Sequence, residues 1–146
     1  MEHTAYGEQF FLRLDAGEEL IESLTLFAAA YERDFFAIVS GVGMVDGLKF
    51  GFFCVNHNDY DVNDLPGVFD LNVISGNISR RGGMWWPHVH LVVNTPDYAT
   101  RGGHLIEAKT HITMELWLSA PRATGITRQS TPGRPASYLS SRYVAD

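Results

Sequence analysis

Asp15-Ala16-Gly17-Glu18-Glu19-Leu20-Ile21-Glu22-Ser23-Leu24-Thr25-Leu26-Phe27-Ala28-Ala29-Ala30-Tyr31 is the stretch that separates this chain from an all-β protein. Asp15 and Glu18 have capping-box spacing, in which the first carboxylate accepts from the backbone of the first turn and the second reaches back. Leu20, Ile21, Leu24, Phe27, Ala28 and Tyr31 then recur at steps of three and four, with Glu18, Glu19, Glu22 and Glu32 on the other side. That period predicts an amphipathic helix with one face turned to a core.

Outward from the helix the period changes to two. Phe10, Leu12 and Leu14 alternate with Phe11 and Arg13, which predicts a strand from Tyr6 to Leu14. Downstream, Phe35 to Ser40 and Leu48 to Val55 are short runs of aromatic and branched residues, expected to pair as a hairpin across Met44 to Gly47. His57 to Pro66, rich in Asn and Asp, reads as a solvent loop before a strand from Val68 to Ile78. Arg80-Arg81-Gly82-Gly83 ends that strand, His88 to Asn94 is extended again, Pro96 to Gly103 turns, and His104 to Leu118 is strand-like. The expected fold is α+β: an antiparallel-rich sheet of six or seven strands packed on one main helix. After Pro121 the Gly, Pro, Ser, Thr and Arg content predicts a tail that is irregular or wraps over a neighbour, so the chain divides into a domain over 1–120 and a tail over 121–146.

The 146 residues fit one domain, and 45% hydrophobic with 19% charged residues is an ordinary globular balance. No run nears the ~18 apolar residues of a membrane span, and the first residues lack a signal peptide's basic start and apolar stretch, so the expected location is the cytoplasm. Cys54 is the single cysteine, which excludes an internal disulfide and a thiolate cluster within one chain. A metal would therefore need histidine or oxygen ligands. A net charge of -6 disfavours autonomous nucleic-acid binding. Beyond Glu115, however, Arg122, Arg128, Arg134 and Arg142 face only Asp146, which keeps a polyanion reading open.

The chemistry-bearing pattern is Pro87-His88-Val89-His90. Residues two apart on a strand leave the same face, so both imidazoles can share one ion while Val89 enters the core. His104 follows Gly102-Gly103, where absent side chains let backbones approach closely. Three imidazoles leave a tetrahedral zinc ion a fourth position. His3 at the terminus, His57 in the polar loop and His111, an odd step from His104, are expected to be non-ligands. Cys54, between Phe53 and Val55, reads as an inert buried thiol. Gly41-Val42-Gly43 lacks the lysine and following helix of a phosphate loop and reads as a tight turn. Met84-Trp85-Trp86 is expected at a subunit interface, with a ligand-stacking wall as the alternative, and Glu107 reads as a solvated strand carboxylate that could serve as a base at the metal.

Taken in order, Gly41-Val42-Gly43, Ser75-Gly76-Asn77-Ile78-Ser79, Pro87-His88-Val89-His90 and Gly102-Gly103-His104-Leu105 resemble the PPC domain, the plants-and-prokaryotes-conserved family, from about Gly7 to Leu118. The resemblance implies an antiparallel-rich sheet on one helix, a homotrimer, and a metal site at His88, His90 and His104 for zinc or another divalent transition metal. Plant members carry an AT-hook with an Arg-Gly-Arg-Pro core; here Pro132-Gly133-Arg134-Pro135 has proline in the first position, so the hook is incomplete. The sequence also resembles the opening of the cupin metal motif, but Asn94 and Thr95 stand where its glutamate belongs. The leading functional reading is a stand-alone trimeric metal-binding domain. Two alternatives stand beside it: a DNA-associated regulator using the basic tail, and a zinc-dependent enzyme acting on a small polar ligand near Arg80, Arg81, Trp85 and Trp86.

Overall fold

The protein is described from a computed structural model over residues 1–122, 124–130 and 136–141. The chain is mostly β. Strands β1 (Glu2–Tyr6) and β2 (Gln9–Asp15) precede the helix α1 (Leu20–Ala29); β3 (Phe35–Cys54), β4 (Asp59–Arg81), β5 (Met84–Asn94) and β6 (Thr100–Ser119) form the body, and β7 (Ile126–Gln129) and β8 (Tyr138–Ser141) follow. These eight strands make one mixed sheet, antiparallel except where β7 meets β4 in parallel at Arg80 and Thr127. Pairing runs in a closed circuit, because β3 joins β4, β4 joins β5, β5 joins β6 and β6 returns to β3.

The helix starts later than its spacing suggests. Glu18 does reach back to the Asp15 N–H, at 2.7 Å, as a capping box requires. But Gly17 donates to the Thr110 carbonyl and the Glu18 carbonyl accepts from Thr110, so this segment is held against β6 before the helix begins. Glu19 is the cap instead, accepting from the Glu22 N–H at 2.6 Å. Leu20, Leu24, Phe27 and Ala28 are fully buried against the sheet. The Phe27 ring meets Phe10 and Phe36 edge-to-face at 5.9 and 5.2 Å between centroids, the arrangement aromatic quadrupoles favour. Phe10, Leu12 and Leu14 of β2 and Met114, Leu116 and Leu118 of β6 complete this core with alternate residues, as the period-two reading expected.

Four expectations are corrected. Phe35–Cys54 is one continuous strand of 20 residues, bent by register shifts on both sides of Asp46, and not a hairpin across Met44 to Gly47. Gly41 and Gly43 lie within it, where a Cβ would collide with Leu116 and Thr113 of β6, so they serve close strand packing and not a turn. The presumed loop His57 to Pro66 is largely strand: Asp59–Leu65 pairs with Leu48–Cys54, and the chain reverses at Val55 to Asn58. Its Asn and Asp side chains point to solvent from a ladder whose partner supplies the hydrogen bonds, a tertiary gain that local propensity does not register. The segment after Pro121, read as irregular, contains the β7–β8 hairpin among its described residues. Pro132 to Pro135, the partial hook, and Arg142 lie outside the described residues.

Candidate metal centre

On β5 the side chains of Val89, Leu91 and Val93 are buried in the core, which turns His88 and His90 to the opposite face. His104 of β6 stands directly across from His90 in the ladder. The three rings converge, with centroids 5.4 Å apart for His88 and His90, 4.9 Å for His88 and His104, and 5.3 Å for His90 and His104. One ligand atom from each lies within 4.8 Å of the other two. Gly102 and Gly103 pair with Val92 and Leu91, and a Cβ at Gly103 would press on the Phe50 ring at 3.3 Å, so the missing side chains do permit the approach that seats His104.

His88 and His104 are half-buried, and His90 is exposed. Burial, then the Arg128 guanidinium and the two neighbouring imidazoles, pushes His88 down to about 4. Burial, His90 and Arg128 also lower His104. Both rings are thus neutral at pH 7, the state in which an imidazole offers a lone pair to a metal. The donor set fits a divalent transition ion: three imidazoles on two adjacent strands, held by a core that packs the residues between them.

Several side chains around the triad escape a sequence reading. The Tyr60 ring stacks on His104 at 4.8 Å and 19°, from a segment expected to be loop. Arg128 is 7% exposed and gives hydrogen bonds to Asn77 Oδ1 at 3.1 Å, His88 Nδ1 at 3.1 Å and the Ser137 carbonyl at 3.3 Å. Asn77 sits opposite His88 in the β4–β5 ladder, so register alone delivers it. Nothing in a Ser- and Pro-rich tail signals that one arginine turns inward. A pocket of about 480 Å³ opens beside His88 and His104, with Arg81, Trp86 and Arg128 in its walls.

The two tryptophans have different surroundings within the chain. Trp85 packs on the core beside Phe36, with Arg80 over its ring at 3.7 Å, while Trp86 lines the pocket under Arg81 at 4.5 Å. Arg80 therefore belongs to the Trp85 stack. Glu107 pairs with Lys49 at 2.8 Å and takes no part in the pocket wall. A second group, Cys54, His57 and Asp61, comes together at the β3–β4 reversal. There the Cys54 thiol donates to Asp61 at 2.7 Å, and this bond, ahead of burial, raises its pKa; the thiol is protonated, as expected, but for a different reason.

Fold and site define a mostly β domain carrying a three-histidine cluster. The chain belongs to the Plants and Prokaryotes Conserved (PCC) domain family, which it matches over residues 1–120. It is similar to a plant- and prokaryote-conserved protein of Pyrococcus horikoshii (25% identity, TM-score 0.79, covering 86% of this chain and 87% of that one). It is also similar to a metal-containing protein of Archaeoglobus fulgidus (25%, 0.70, covering 78% and 80%) and to a protein of Bacteroides thetaiotaomicron with a provisional DNA-binding name (21%, 0.86, covering 95% and 96%). No curated protein shows significant similarity to the chain.

Proposed function

We propose that this domain binds one divalent transition ion, zinc in the first instance, through His88, His90 and His104, and does so as a homotrimer. The observation that carries the reading is the convergence of three imidazoles from paired strands to within 4.8 Å, two of them held neutral by burial. The metal-containing Archaeoglobus relative supports it. The histidine cluster is favoured over Cys54, His57 and Asp61 because the latter is largely exposed and already occupied by its own hydrogen bond. Bound at the triad, the ion would supply Lewis-acid polarisation to a ligand in the adjoining pocket. An enzyme reading draws on that pocket. The DNA-associated reading, by contrast, loses one of its arginines, since Arg128 faces His88 and Asn77. The Bacteroides likeness bears on fold alone.

Elemental analysis of the purified protein and its variants tests the site. His88→Ala, His90→Ala and His104→Ala should each lower the metal content from one ion per chain, and His57→Ala and His111→Ala should leave it unchanged. Wild-type metal content in all three triad variants overturns the assignment.

A further inference from the structure

Arg128 is more than nine-tenths buried, and its Nε is buried with no hydrogen-bond partner among the described residues. Leaving a buried donor unpaired is costly, and more so for a charged group. Arg81 lies close enough to disfavour the charge on Arg128, and neither arginine is paired with a carboxylate among the described residues. Both line the pocket beside His88 and His104, against one carboxylate among the described residues, Asp59, in the same wall. The remaining wall includes Phe53, Trp86 and Ile106. A cavity of about 480 Å³ falls in the range of small-molecule sites.

The contact between Arg128 and His88 adds a constraint. A guanidinium only donates, so His88 Nδ1 is the acceptor, and the proton of the neutral ring is on Nε2. A metal on Nδ1 would displace Arg128; a metal on Nε2 would require the proton on Nδ1, facing a donor. Either way the ion takes from Arg128 one of its acceptors and sets a dication beside two guanidinium groups.

We propose that Arg81 and Arg128 form an anion subsite next to the triad, which takes the carboxylate of a small organic acid while the acid's apolar part lies along Trp86 and Phe53. A planar carboxylate matches the guanidinium fork, gives the buried donors a partner and offsets the charge of the ion. The coupling between ion and acid rests on the metal reading above, whereas the arginine subsite itself does not. By linkage, each ligand tightens the other equally.

Calorimetric titration with benzoate, and with benzamide as its neutral counterpart, tests this on chelator-treated and zinc-loaded protein. Benzoate should bind the metal-free protein more tightly than benzamide, and about tenfold more tightly again after zinc loading. Arg81→Met, a change at the half-exposed rim that spares the core, should weaken benzoate about tenfold and keep one zinc per chain. Arg128→Gln should weaken benzoate likewise, with its circular dichroism spectrum checking the fold. Benzoate binding no better than benzamide, or unchanged in Arg81→Met, overturns the subsite. Equal benzoate affinity with and without zinc overturns the coupling. Should the wild type take up no zinc, the metal reading and the coupling fail together, and the metal-free titrations still decide the subsite.

Discussion

His88 shows how a single side chain answers to its surroundings. Its ordinary pKa of 6.5 falls to about 4 because a half-buried ring next to a guanidinium and two imidazoles resists a second charge. Above 6.5 the folded and unfolded chains both hold it neutral. Between 6.5 and about 4 the unfolded chain takes a proton that the folded one does not, so stability falls as the pH drops through that window, and the loss is complete below it. The urea midpoint of metal-free protein should therefore decline across that range, with His88→Gln removing this part of the slope; identical curves for the two proteins would contradict it. Gly76 is a second decisive residue. Its φ of 151° suits glycine, and a Cβ there would run into the His88 carbonyl oxygen. Gly76→Ala should cost on the order of 3 kcal/mol in denaturant unfolding and lower metal content as β5 shifts. The sequence marks Gly76 only as part of a pattern, since its role depends on which backbone lies across the ladder.

At the level of elements, the helix and the histidine strand were legible because their side-chain periods are local properties. The length of β3 was not, because a bend at Asp46 and Gly47 looks the same in sequence as a turn, and only the partners β4 and β6 carry the strand through it. The β7–β8 hairpin depends on another distant contact. Asp34, just before β3, accepts from the Thr124 N–H at 3.1 Å, the Thr124 hydroxyl at 3.0 Å and the Gly125 N–H at 2.7 Å. These bonds anchor the segment that delivers Arg128 to the pocket. Asp34→Ala should weaken that docking by about 1–3 kcal/mol, seen as faster amide exchange over residues 126–129 with little change in exchange on β2 and β6. Uniform acceleration throughout the chain would show instead that Asp34 supports the whole fold.

For the whole molecule, the outward side chains of Val39 and Val42 on β3 and of Ile112 and Trp117 on the neighbouring β6 are exposed apolar groups, of the kind that association covers. They join Met84 and Trp86, which are exposed as well, as candidate surface for the proposed trimer, whereas Trp85 packs on the core. Light scattering at micromolar concentration should give three times the chain mass, and Trp117→Lys should lower it; a monomeric wild type would refute the trimer. No helix of the described chain is long and apolar enough to cross a membrane. By itself the sequence determined the amphipathic helix, the alternation that buries Val89 while turning His88 and His90 outward, and the kinship carried by its ordered motifs, because each follows from spacing along the chain. The tertiary structure decided that His104 stands across from His90, that Tyr60 stacks upon it, and that Arg128 returns from the tail to His88. Those depend on strand register and on contacts between residues far apart in sequence, where the winning arrangement is the one that pairs every buried strand and fills one common core.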